Sequence, residues 1–235
     1  MKLISFCLWG NNSKYTVGAI KNAELARDVY PGWKCRFYCA EDVPNTILFN
    51  LELFDNVEIV QVPSQGDWTS MYWRFAPASE SEIDVVISRD TDSRLNIREA
   101  AAVDEWLAGD KGFHIMRDHP AHGFPILGGM WGAKRGTIPG MKKMIDNFPQ
   151  QNMYGTDYQF FASIGDKIRG NVLVHDEFFN NPQNPRTPML LDYQGVTPVP
   201  FPTVRKGLEY VGKPFNADDT PSLPEDEKVF SQGQK

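Results

Sequence analysis

DVVISRDTDSRL, residues Asp84–Leu95, joins an apolar run to a polar cluster without a break. Asp84–Ser88 predicts a short buried strand, which places Arg89-Asp90-Thr91-Asp92 at its carboxyl end. Two carboxylates at i and i+2 point the same way from an extended chain, so Asp90 and Asp92 converge on one hard cation. A lone D-x-D is common as a solvated turn. The strand before it and the flanking Arg89 and Arg94 favour a site, because ligands of open α/β sheets bind at the carboxyl ends of central strands.

Working outward toward the N-terminus, Leu3–Leu8 reads as a buried strand closed by Trp9-Gly10-Asn11-Asn12. In Tyr15–Tyr30 the residues Val17, Ile20, Ala23, Leu25 and Val29 recur at helical spacing until Pro31-Gly32. The alternation repeats, with Lys34–Ala40 and Val57–Val62 as strands and Asn45–Phe54 and Thr69–Ser81 as helices. Such a pattern predicts an α/β fold with a mostly parallel central sheet and helices on both faces.

Toward the C-terminus, Ile97–Ala108 is an Ala-rich helix and Gly112–Met116 a strand. His119–Gly136 carries five glycines and two prolines and reads as one long shaped loop. Helices over Pro139–Phe148 and Thr156–Ile164 and a strand Asn171–Val174 lead to His175-Asp176-Glu177. Pro and Asn dominate beyond Asn180, and Pro214–Lys235 is charged and poor in large apolar residues. The organisation expected is one domain, 1–213, with a polar tail, 214–235, that is mobile or draped over the surface.

With 235 residues, 41% of them hydrophobic, the chain can bury a full single-domain core. Its net charge of −6 with scattered Lys and Arg argues against nucleic acid or a membrane surface as partner. Leu3–Trp9 lacks the length and cleavage pattern of a signal peptide, and no segment approaches the ~18 apolar residues of a transmembrane helix, so a cytoplasmic location is expected. Cys35 and Cys39 on one strand would lie about 13 Å apart, beyond the ~7 Å limit of a disulfide. With Cys7 they are expected as reduced core residues.

Other uses of D-x-D fit less well. An EF-hand needs an acidic or amide fifth residue and Gly at the sixth, where this chain has Arg94 and Leu95. A haloacid-dehalogenase-type phosphatase carries its motif after the first strand, and Arg94 stands at its Thr position. A nucleotidyltransferase stays open as an alternative, although no Gly-rich phosphate loop occupies Leu8–Tyr15. His119 and His122 could suggest a zinc H-x-x-H, but Pro120 disfavours the helix needed, so lining an acceptor or sugar pocket is the better reading. Gly128-Gly129 would let that loop approach a substrate closely.

WRFAPAS (Trp73–Ser79), SRDTDSRL (Ser88–Leu95), HIMRDHP (His114–Pro120), ILGGMWG (Ile126–Gly132), YGTDYQF (Tyr154–Phe160) and VHDEFF (Val174–Phe179) resemble the signature blocks of the GT-A-type, Rossmann-like nucleotide-sugar glycosyltransferases, in particular small transferases of bacterial polysaccharide loci and large viruses. The resemblance implies a nucleoside-diphosphate sugar donor, UDP-linked in kind, a Mn²⁺ or Mg²⁺ ion and a glycan acceptor. It implies that Asp92 ligates the metal, that Asp90 contacts ribose or metal, and that His175 completes the shell. Leu8, Trp9 and Gly10 would meet base and ribose, although Trp9 also reads as core. Arg74 and Arg89 would contact phosphate or hold the aspartates, with a structural ion pair as the equal alternative. Asp157 matches the general base of inverting members, while a carboxylate at a helix start also fits simple capping. A non-catalytic nucleotide-sugar-binding module would keep the metal residues and lack the base.

Overall fold

The computed structural model describes residues 1–179 and 197–222. The N-terminal half alternates as the sequence predicts: β1 (Lys2–Leu8), α1 (Ser13–Val29), β2 (Lys34–Ala40), α2 (Asn45–Glu52), β3 (Val57–Val62) and β4 (Val85–Ser88). β1 pairs in parallel with β2 on one side and β4 on the other, and β3 extends the sheet from β2. Six of the seven residues of β1 are buried, which is why its sequence is a continuous apolar run rather than an alternating one. α1 starts where the Asn12 side chain accepts from the Lys14 amide at 3.0 Å.

Thr69–Ser81 was expected as an α-helix and is instead a 3-10 helix, Trp68–Ser79. Asp67 opens it with a capping box shared with Ser70, and Pro77 inside it has no amide to extend an α-helical ladder. The second half adds α3 (Ile97–Ala108), β5 (Phe113–Arg117), β6 (Trp131–Lys134), α4 (Met141–Asn147), α5 (Thr156–Ile168) and β7 (Val172–Asp176).

β6 is a correction to the sequence reading, which placed it inside one long loop. It inserts between β4 and β5 and runs antiparallel to both, giving the order β3-β2-β1-β4-β6-β5-β7. Its glycine is there for packing: a Cβ at Gly132 would stand 3.0 Å from Ile87 and Trp106. Glycine-rich composition therefore concealed a strand whose close neighbours crowd any side chain at this position.

Side-chain alternation divides the core into two layers. Ile4, Phe6, Leu8, Phe37 and Ile87 pack under α1, α2 and α3, where Ala19, Ala23 and Ala26 form the close-fitting stripe of α1. Leu3, Val86, Ile115, Trp131 and Val174 face the 3-10 helix, α4 and α5 through Phe75, Met141, Phe160 and Ile164. Helices thus cover both faces of a sheet that is parallel except at β6. Cys7, Cys35 and Cys39 are buried free thiols.

The segment 197–222 returns across the carboxyl end of the sheet. The Phe215 amide donates to the Asp92 carbonyl at 2.8 Å, and Asp219 pairs with both Lys21 and Arg94. The start of the expected tail is accordingly packed against the D-x-D loop, and residues 223–235 lie outside the described residues. Among the described residues no helix is long and apolar enough to cross a membrane.

Candidate active site

The carboxyl ends of the adjacent parallel strands β1 and β4 open onto one cleft of about 440 Å³. Leu8, Trp9, Arg74, Asp90, Asp92 and Asp157 all line it, although they come from four separate stretches of chain. Gly10 forms the adjacent turn at φ +68°, with its amide on Asp42 Oδ1 at 2.9 Å.

Arg74 organises the floor. It projects from the 3-10 helix, is 3% exposed, and donates through Nη1 to Asp90 Oδ1 and to the Arg89 carbonyl. Its Nη2 is 4.0 Å from Asp157 Oδ2. Burial opposes its charge, but Asp90 above all, with Cys7 and Asp157, holds the guanidinium above the ordinary arginine value. Cys7 beside it is no nucleophile, because burial pushes its thiol up to about 12.

The D-x-D loop is fixed from behind. Asn22 donates to the carbonyls of Thr91 and Ser93 and accepts from the Leu95 amide, and Ser93 Oγ donates to the Asp90 carbonyl at 2.8 Å. Gly18 of α1 touches the Thr91 carbonyl so closely that any side chain there would collide with it. Lys14 Nζ lies 2.7 Å from Asp92 Oδ2. Even so, burial first and the Asp90 carboxylate second raise the Asp92 pKa.

Asp157 lies in the first turn of α5, after Gly155 at φ +78°, and so is not the N-cap itself. Burial raises its pKa, with Arg74 pulling it back and Asp90 pushing the same way as burial. Gly128 and Gly129 close the cleft by contact with these carboxylates. A Cβ at Gly128 would overlap Asp157, and one at Gly129 would overlap Asp90. The pair therefore makes room for protein carboxylates as well as lining the cleft. His122 also lines it, as a neutral ring whose pKa burial lowers to about 3, while His119 stacks on Tyr210 at 4.4 Å.

Two expected site residues are elsewhere. Arg89 is 1% exposed and bonds Glu99 at 3.0 Å, which also accepts from the Tyr30 hydroxyl. Neighbours in an extended segment face opposite ways, so the arrangement that aims Asp90 into the cleft sends Arg89 into the core. It is a structural ion pair and contacts no cleft. His175 is fully buried in β7, with Nδ1 2.8 Å from His114 Nε2 and Nε2 facing Glu105 at 3.6 Å. β7 lies three strand spacings from β4, about 14 Å, because β6 and β5 intervene. The structure does not bring His175 to the aspartates.

Sequence reasoning also missed part of the site. Tyr15, Trp68, Met71, Tyr154 and Tyr158 line the cleft, and Lys14 supports Asp92. Tyr154 and Tyr158 flank Asp157 in a quoted block and could have been found from it. Trp68 and Lys14 carried no signal, since only the fold brings them near.

No known protein-family profile and no curated protein matches the sequence. Solved structures do match its fold. Residues 1–349 of S. aureus TarS superpose with a TM-score of 0.53 at 11% identity, over 75% of this chain and 58% of that one, so this chain spans rather more than half of it. Glucosyl-3-phosphoglycerate synthase from Mycobacterium tuberculosis, solved with Mn²⁺, UDP and glucosyl-3-phosphoglycerate, superposes with a TM-score of 0.50 at 12% identity over 83% and 80% of the two chains. The fold is of the GT-A glycosyltransferase type, with, among the described residues, a mostly parallel sheet of seven strands and helices on both faces.

Proposed function

We propose that this chain is a metal-dependent glycosyltransferase that moves a sugar from a nucleoside-diphosphate donor, UDP-linked, to a glycan acceptor. The observation that carries the reading is the convergence of Asp90, Asp92 and Asp157 around the buried Arg74 in one cleft at the carboxyl ends of β1 and β4.

The residues present fit a divalent cation. Asp90 and Asp92 are hard oxygen donors that line one cleft, and burial first and the neighbouring Asp90 carboxylate second raise the Asp92 pKa, a cost that a bound cation would relieve. Among the described residues no three His, Cys, Asp or Glu side chains form a closed metal cage. Asp90 and Asp92 would hold the ion in the Mg²⁺-like manner, in which one or two carboxylates share it with substrate phosphates and water. When bound by Asp90 and Asp92, the ion supplies positive charge for the departing diphosphate.

The protein's own groups divide the remaining work. Arg74 holds Asp90 in place and keeps a fixed positive charge beneath the cleft. Leu8 and Trp9 at the end of β1 offer the surface for base and ribose. Asp157 takes the proton of the acceptor hydroxyl as its oxygen bonds to the anomeric carbon and the bond to the diphosphate oxygen breaks. A raised pKa makes Asp157 a stronger base than an exposed aspartate, and Arg74 nearby favours its ionised form. Attack opposite the leaving group inverts the anomeric centre.

Calorimetry of UDP with and without Mn²⁺ tests the reading. Binding is expected only with metal, because the chain's net charge of −6 offers a diphosphate no general attraction. Equal affinity in both conditions would remove the metal bridge.

A further inference from the structure

Beside the carboxylates the cleft has a second, unlike wall. Trp68 and Tyr154 meet edge to face with ring centroids 5.4 Å apart, and Trp9 stands against Trp68 at 6.2 Å. Tyr154 is 71% exposed and Trp68 38%, whereas the other rings of the adjoining core are buried. The Trp68 amide donates to Asn152 Oδ1 at 3.1 Å, which ties the 3-10 helix to the loop before α5. On the far side of Asp157, Tyr158 stacks on the half-exposed Phe124 with centroids 4.0 Å apart. Large aromatic faces turned to solvent at the edge of a polar cleft mark a surface that a ligand covers.

We propose that Trp68 and Tyr154 form the acceptor subsite and that it takes a neutral pyranose ring, the apolar face of the sugar lying on the two aromatic rings. The proposal rests on the transferase reading above and adds the class of acceptor to it. Position is the first argument. An acceptor hydroxyl must come within hydrogen-bond reach of Asp157, so the sugar bearing it sits against the residues around Asp157. Tyr154 is three positions before Asp157, and Trp68 is the ring that touches it. Tyr15 lines the same cleft on the Asp92 side, where its ring lies 5.3 Å under the ammonium of Lys14, the ion-pair partner of Asp92.

Charge is the second argument. Among the described residues that line the cleft, Arg74 is the single Lys or Arg, and Asp90 and the Arg89 carbonyl already engage it. Among the described residues a phosphorylated or carboxylated acceptor would find no free cation lining the cleft and would face Asp157. A neutral ring meets neither problem, and its hydroxyls can bond the rim while its C–H face covers the indole.

The test uses the whole chain with Mg²⁺ and UDP, and probes it by saturation-transfer NMR with methyl glycosides of glucose, galactose, mannose and N-acetylglucosamine, alongside glucose 6-phosphate and methyl glucuronide. At least one neutral glycoside is expected to bind, and more tightly than the anionic probes. Trp68→Ala and Tyr154→Ala should each weaken it roughly tenfold or more while UDP affinity stays within about twofold. Melting temperatures close to wild type would show that both variants are folded, and Trp68→Phe should restore part of the binding. Tighter binding of the anionic probes, or no binding of any neutral glycoside, overturns the proposal. An equal loss of UDP affinity in the two alanine variants also overturns it, by making the rings a base platform. Wild-type protein that fails to bind UDP with metal would overturn the transferase reading instead, and the same titration reports that separately.

Discussion

At the scale of single residues, Asp157 carries the most. Its folded-state pKa is raised above the ordinary 3.8, so the folded protein binds its proton more tightly than the unfolded chain does. The contribution of this group to stability is therefore fully present below the unfolded pKa and is lost as pH rises through the folded one. Asp157→Asn removes that loss. The variant is expected to melt at or above the wild-type temperature at pH 7, with the difference vanishing below about pH 3.5. Its transfer rate should nevertheless fall by ~10²–10⁴. In the wild type, transfer should rise with pH through a midpoint above the ordinary aspartate value. Near-normal transfer by the variant would take Asp157 out of the mechanism.

Gly129 gives a second test at this scale. Since a Cβ there overlaps the Asp90 carboxylate, Gly129→Ala should turn Asp90 aside and weaken Mn²⁺-supported UDP binding by about tenfold or more. Gly136, which has open space around it at φ +77°, is the control: Gly136→Ala should cost some stability through backbone strain and leave UDP affinity unchanged. Calorimetry and thermal melts on both variants make the comparison.

At the scale of elements, the segment 210–222 borders the candidate site although the sequence reading begins a polar tail at 214. Gly212 lines the cleft, the Phe215 amide holds the Asp92 carbonyl, and Arg94 joins the Ser93 carbonyl to Asn216 and Asp219. Ending the chain after Lys213 would free the D-x-D loop on that side while leaving both main core layers intact. UDP affinity with Mn²⁺ is expected to fall severalfold or more, with only a small drop in melting temperature. Unchanged affinity would show that the segment merely rests on the surface.

At the scale of the whole molecule, strand order separates the cleft from the far edge of the sheet. His175 in β7 packs against Phe201 and edge to face on His114, which in turn stacks on Trp106, and burial lowers its pKa. His175→Ala is expected to destabilise the fold by about 1–3 kcal/mol through lost packing and an unpartnered His114, without changing Mn²⁺ affinity. Denaturant unfolding and a manganese titration measure the two effects. A weakened manganese isotherm in a fully folded variant would return His175 to the metal.

The sequence by itself determined every element whose signal is local. Periodicity set the six parallel strands and the helices around them to within a few residues, because burial on one or both faces dictates side-chain spacing along each. Residue type and position after a strand also singled out Asp90 and Asp92, while Arg74 and Asp157 stood out through the resemblance of their sequence blocks to those of GT-A-type transferases. Tertiary structure alone decided the rest. β6 was hidden because Gly132 answers to Ile87 and Trp106, which lie far away in sequence. Arg89 and His175 look like site residues by type, but the direction of one side chain and the lateral position of one strand place both in the core. Trp68, Lys14 and the Phe215 amide reach the cleft only through pairings across more than fifty residues, and local spacing holds no record of such contacts.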